Sequence, residues 1–117
     1  MKVEIRTHGL KLTDELRAHV EKRLRFGLNW ARDEVDKVLI RFTDINGPRG
    51  GDDKRCQVRI PLSGMRDVVI EDTAEDLRVA IDSATERASR TLERRLSRRR
   101  EFGPSQMSRW EQAQDSI

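Results

Sequence analysis

In four short segments of this chain the apolar side chains fall at every second position, and in two longer ones at every third or fourth. That succession of periods limits the fold more than any single motif. "KVEIRT" sets Val3 and Ile5 on one face and Lys2, Glu4 and Arg6 on the other, the pattern of a half-buried strand. "LTDELRAHVEKRLRFGLNWA" then changes period, with Leu16, Val20, Leu24 and Leu28 four apart. Thr13 is suited to cap that helix, with Asp14 and Glu15 in a first turn whose dipole favours acids. Gly27 is expected to fray or end it. Phe26 and Trp30 are expected to close the core at its end.

The period of two returns in "VDKVLIRFTDI", where Val38, Ile40 and Phe42 share a face. It continues in "KRCQVRIPL", with Cys56, Val58, Ile60 and Leu62 inward and Arg55, Gln57 and Arg59 outward. The turn chemistry of "NGPRGGDD" between these two predicts a hairpin connection. After "SGMR", "DVVIE" reads as a short fourth strand. Residues 72–100 are expected to form a long second helix with Leu77, Ile81, Ala84, Ala88, Leu92 and Leu96 along one stripe. Asp72 or Thr73 is expected to cap it, and Glu75 or Asp76 to return the bond of a capping box. The order β-α-β-β-β-α predicts an α/β (α+β) fold, a two-layer sandwich. Both helices should lie on one face of a four-stranded sheet, leaving the other face polar.

Leu, Ile, Val and Phe supply 28 of the 117 residues, enough for one modest core and so for one domain. That domain is expected to span residues 1–100, with 101–117 a flexible tail that lacks a period. The single cysteine, Cys56, allows no intramolecular disulfide and fits a reducing compartment. The N-terminus alternates charged and apolar residues, unlike a signal peptide, and no apolar run approaches the roughly 20 residues of a membrane span. A soluble, cytoplasmic protein is expected.

The net charge is only +3, but it is unevenly placed. Arg87, Arg90, Arg94, Arg95, Arg98, Arg99 and Arg100 sit within residues 87–100 against one acid, Glu93. Arg87, Arg90, Arg94 and Arg98 step along one line of the helix, and Arg95 and Arg99 along a second. Arginines four apart with no acid between them repel by a few tenths of a kcal/mol. Placement near a helix C-terminus relieves two or three of them. The remainder call for a polyanion. Lys22, Arg23 and Arg25 on the first helix extend the patch if the helices lie side by side. The chain has five aromatic residues and none in an outward-facing strand pattern, so base-stacking platforms are not expected. Groove-reading DNA motifs are missing, and the second helix offers too small an apolar face for a membrane surface. Recognition of phosphate and shape in folded RNA remains.

"EDLRVAIDSATERASRTLERRLSRRR" resembles the closing helix of the bacterial ribosome hibernation-promoting factor and ribosome-associated inhibitor family. Glu75, Asp76, Leu77, Ala80, Ile81 and Asp82 match its start, and Arg87, Ala88, Arg90 and Leu92 the block that follows. "KLTDELRAHVEKRL" is similar to the family's first helix, and the element order is the same over residues 1–100. Arg78 stands where the family has Tyr, Thr91 where it has Gln, and the "DINGPRGGDDKRC" loop is longer and richer in glycine. The resemblance implies a non-enzymatic translation inhibitor that binds small-subunit rRNA near the decoding region, blocking mRNA and tRNA under stress. It places Lys22, Arg23, Arg25, Arg87, Arg90, Arg94 and Arg95 against rRNA, with Arg98, Arg99 and Arg100 extending the basic tail. Seventeen residues after the helix leave no long-form dimerisation domain, so ribosome dimerisation by this chain alone is not expected, and the free protein should be monomeric.

The alternative is a generic structured-RNA-binding or adaptor module of the same fold. An enzyme is disfavoured, since no acid–base or nucleophile constellation is present and no small-molecule substrate or cofactor is implied. His8, His19 and Cys56 are too scattered for a metal site. "NGPRGGDDK" lacks the ending of a phosphate loop and precedes a strand rather than a helix. Arg49 or Lys54 could still meet rRNA from that connection.

Overall fold

The computed structural model describes residues 1–45 and 54–102, and side chains as far as residue 99. The 46–53 connection, with Arg49, therefore lies outside the described residues, as do the 103–117 tail with Trp110 and the Arg100 side chain. The elements are β1 (Lys2–His8), α1 (Asp14–Leu28), a 3-10 turn at Asn29–Ala31, β2 (Lys37–Asp44), β3 (Lys54–Leu62), β4 (Met65–Ala74) and α2 (Leu77–Phe102). The strands form one sheet in the order β1-β2-β3-β4. β1 and β2 are parallel, joined across α1, and the β2–β3 and β3–β4 pairs are antiparallel. The result is the expected two-layer sandwich.

The core lies between the sheet and the two helices. Val38, Ile40, Phe42, Cys56, Val58, Ile60, Leu62, Val68 and Ile70 point into it from the strands, and Leu16, Val20, Leu24, Leu28, Ile81, Leu92 and Leu96 from the helices. Each large aliphatic side chain buried there contributes about 1.5–3 kcal/mol. The inward residues are those the alternation selects, because a one-residue slip would turn each strand's apolar set to solvent.

Three expectations are corrected. Gly27 does not end α1, which continues to Leu28. A Cβ on Gly27 would lie 2.9 Å from the Thr85 methyl, so this glycine lets α1 and α2 approach. β4 is longer than "DVVIE". It starts directly after the Ser63-Gly64 turn, where Gly64 takes φ +76°, and it runs through Asp72 and Thr73, neither of which can then cap α2. Asp76 caps that helix instead, its Oδ1 accepting from the Arg78 backbone N–H at 2.8 Å and its carbonyl from that of Ala80 at 3.0 Å. Finally, Phe26 is 81% exposed and Trp30 43%, so neither closes the core. The buried helix positions are already filled by Leu24 and Leu28, which turns Phe26 to solvent.

The Thr13 cap forms as expected, with its hydroxyl accepting from the Leu16 N–H at 3.1 Å. The helices run parallel. Arg78 Nη2 lies 3.7 Å from Glu15 Oε2, His19 Nε2 2.9 Å from Asp82 Oδ1, and Ser89 Oγ donates to the Gly27 carbonyl at 3.1 Å. Trp30 Nε1 donates to that same carbonyl at 3.1 Å and to Ser89 Oγ at 3.0 Å, tying the end of α1 to the middle of α2.

Candidate nucleic-acid interface

The parallel packing brings the α1 cations level with the first half of α2. Lys22 and Arg25 are exposed and have no partner among the described residues. Arg23 Nε lies 3.6 Å from Asp82 Oδ1, too far for a hydrogen bond, and makes no other. The α2 cations lie farther along. At a rise of about 1.5 Å per residue, Arg98 sits about 24 Å beyond Asp82. The two helices thus present one elongated basic strip, on the opposite side of the molecule from the open sheet face.

The six described arginines between residues 87 and 99 of α2 do not behave alike. Arg87 reaches the Asp72 carboxylate and donates to the Glu71 carbonyl at 3.0 Å, while Ser83 Oγ holds the other Asp72 oxygen at 2.9 Å. Arg95 Nη1 donates to the Arg66 carbonyl at 2.7 Å and also to that of Asp67. Arg99 caps the Ser63 carbonyl in the β3–β4 turn. These three, on the flank of α2 nearest β4, fasten the helix to the sheet. Burial pushes the Arg95 guanidinium down from its ordinary range, and Arg66 and Arg94 add to that, while Asp67 opposes it.

Arg90, Arg94 and Arg98 point outward and line one shallow groove with Glu93 and Ser97. Arg90 pairs at 3.5 Å with Glu86 one turn earlier, both about two-thirds exposed, an arrangement worth only a few tenths of a kcal/mol and easily exchanged for phosphate. Arg94 makes only a 3.4 Å contact with Thr91 Oγ1. Arg98 is exposed as well. The sequence therefore locates the cations, but it cannot separate those that hold the fold from those turned to solvent. The distinction depends on carbonyls of β4 and the Ser63 turn, distant in sequence.

Two features escaped the sequence reading. Phe26 stands exposed beside His19, Lys22, Arg23 and Asp82 on the helix face. On the open sheet face, Arg6, Arg41 and Arg55 stand without a carboxylate partner among the described residues. Lys54, at the end of β3, pairs at 3.4 Å with Asp44. Among the described residues no group of three or more His, Cys, Asp or Glu could hold a metal ion. No described helix is long and apolar enough to cross a membrane.

An open four-stranded sheet covered on one face by two parallel helices, with cations along their outer side, defines an α+β two-layer sandwich with a basic helix face. The family described as sigma 54 modulation protein / S30EA ribosomal protein matches residues 3–100, and the chain belongs to that family. It is the ribosome-associated family to which the two helix motifs and the element order pointed. Among solved structures, a ribosomal subunit interface protein from Coxiella burnetii is 21% identical with a TM-score of 0.71, over 83% of this chain and 99% of that one. The N-terminal domain of Thermus thermophilus Protein Y is 24% identical with a TM-score of 0.64, over 80% and 98% respectively. These two likenesses bear on the fold. Curated protein sequences give no significant match.

Proposed function

We propose that this protein is a translation inhibitor of idle ribosomes. It binds small-subunit rRNA near the decoding region and excludes mRNA and tRNA under stress. Lys22, Arg23, Arg25, Arg90, Arg94 and Arg98 meet phosphates, Arg87, Arg95 and Arg99 add to the field behind them, and Arg100 adds its charge to the basic run. One observation carries the reading: in a member of this family, the outward cations of both parallel helices lie on one side of the molecule, and the ion pairs described for Arg23 and Arg90 there are long, 3.6 Å to Asp82 and 3.5 Å to Glu86. Such a strip suits a phosphate backbone, which would replace weak pairs such as Arg90–Glu86 with stronger charge-assisted bonds. No chemistry on substrate is required, only occupancy, and the work takes place in the cytoplasm, where ribosomes are.

Co-sedimentation with purified small ribosomal subunits tests this. The parent chain should bind saturably, and excess duplex RNA should compete poorly. Arg90→Glu/Arg94→Glu should abolish binding without altering the far-UV circular dichroism. Ready displacement by duplex RNA would instead identify a generic structured-RNA binder, and a parent that stays in the supernatant at low salt would refute ribosome binding.

A further inference from the structure

The sheet face turned away from the helices carries its own array of cations. Strand alternation places Lys2, Arg6, Lys37, Arg41, Arg55 and Arg59 there from the first three strands, against the single acid Glu4. The other acids of this face, Asp67 and Glu71, lie on β4. Asp67 binds Arg59 at 2.8 Å, and Glu71 accepts from Gln57 at 3.0 Å. Arg41 is the centre of the array. Arg6 stands directly opposite it across the parallel β1–β2 ladder, and Gln57 across the β2–β3 ladder, with Arg55 and Arg59 on the two diagonals. Ladder neighbours are about 4.8 Å apart, and like charges placed opposite one another destabilise a sheet. Two adjoining depressions share Arg6 and Arg41 in their walls, one continuing to Lys37 and Arg59 and the other to His8 and Thr43.

Two ordinary explanations fall short. Charged residues on an edge strand deter pairing with other chains, which suits Lys2 and Arg6 on β1. Arg41, Arg55 and Arg59, however, lie on β2 and β3, the two central strands, where no edge needs protection. A face that only had to stay soluble would also be better served by alternating signs. Here two of the three acids sit on the far strand, and Glu4, which shares a depression with Arg6 and Arg41, forms no ion pair with Arg6, Arg41 or Arg55 among the described residues.

We infer that the open sheet face is a second RNA-backbone site, centred on Arg6 and Arg41, so that the domain holds one RNA segment on each side. The occupant is a phosphodiester backbone. The array offers several guanidinium forks for phosphate oxygens and no aromatic platform for bases. That the backbone is RNA rests on the function proposed above, whereas the existence of a second anion site does not.

The test uses the full chain and a short labelled RNA hairpin, with stoichiometry read by native mass spectrometry at low salt. The parent should take up two hairpins. Arg6→Ser/Arg41→Ser should take up one, Arg90→Glu/Arg94→Glu one, and the combined variant none. Arg6 and Arg41 are exposed, so unchanged circular dichroism confirms the fold of the serine variant. On small subunits, removing two phosphate contacts should flatten the slope of log affinity against log salt by about 1.4–1.8. A parent that saturates with one hairpin, together with a serine variant of unchanged stoichiometry and slope, overturns the inference. So does pelleting with phosphatidylserine vesicles that depends on Arg6 and Arg41 while only one hairpin binds. Failure of the helix-face reading looks different, because Arg90→Glu/Arg94→Glu would then leave small-subunit binding intact.

Discussion

Cys56 points inward from β3, and burial, with the Asp72 carboxylate adding to it, pushes its thiol from 9.0 up to about 12. The folded protein therefore keeps a proton that the unfolded chain gives up above 9.0. Stability should be complete below that pH and decline as pH rises towards 12, by at most about 1.4 kcal/mol per unit. Urea midpoints of the parent and Cys56→Ala should converge over this range, and parallel curves would contradict the assignment. Thr85 is buried at 1% exposure, and its hydroxyl has no hydrogen-bond partner. Thr85→Val keeps the shape and removes the orphaned group, so it should stabilise by about 1 kcal/mol in the same assay. Phe26 gives the contrasting case. Its 81% exposure predicts that Phe26→Ser changes stability by no more than about 0.5 kcal/mol. Sequence spacing misled at Phe26 and Trp30 because an aromatic residue near a helix end looks like core, and only the packed leucines show that the space is taken.

Elements meet where their surfaces allow, and Gly27 governs the approach of α1 to α2. Alanine there gains about 1 kcal/mol of helix propensity but presses a Cβ against the buried Thr85 methyl, 2.9 Å away. Gly27→Ala should cost about 1–2 kcal/mol net. In a Thr85→Ser background, which lacks that methyl, the same change should become neutral or stabilising, giving a coupling of about 1–3 kcal/mol in a double-mutant cycle. The arginines of α2 divide in a comparable way. Arg95 donates to two β4 carbonyls, so Arg95→Ala should lower stability by about 1–2 kcal/mol, whereas Arg94→Ala should stay within about 0.5 kcal/mol. The element types were legible because hydrophobic period follows backbone geometry directly. The limits of β4 and the α2 cap were less so, because Asp72, Thr73 and Asp76 are all competent caps. Pairing with β3 decides among them by drawing the first two into the sheet.

At the scale of the whole molecule, charge is distributed over two opposite faces. The helix strip alone, with about five of its six outward cations neutralising phosphates, predicts a slope of log affinity against log salt of roughly −3.5 to −4.5. If the sheet face also engages small-subunit RNA, the slope is steeper, and Arg6→Ser/Arg41→Ser flattens it by about 1.4–1.8. Measured across several potassium concentrations, a slope near zero would remove the electrostatic basis of both readings.

The chain by itself determined which residues lie inside, in what order strands and helices follow, and that its last helix carries concentrated positive charge. These depend on local periodicity and composition, and the core-facing positions found in the fold are almost all those the periods select. Only the tertiary structure decided what each charge does. Arg87, Arg95 and Arg99 found carbonyls and a carboxylate on β4 and its turn, while Arg90, Arg94 and Arg98, on the same helix, were left facing outward. It likewise set Arg6 beside Arg41, residues 35 positions apart in the chain, on a face that no local pattern marks as a site. A charge's role depends on the dielectric and the partners around it, and both are supplied by segments far away in sequence.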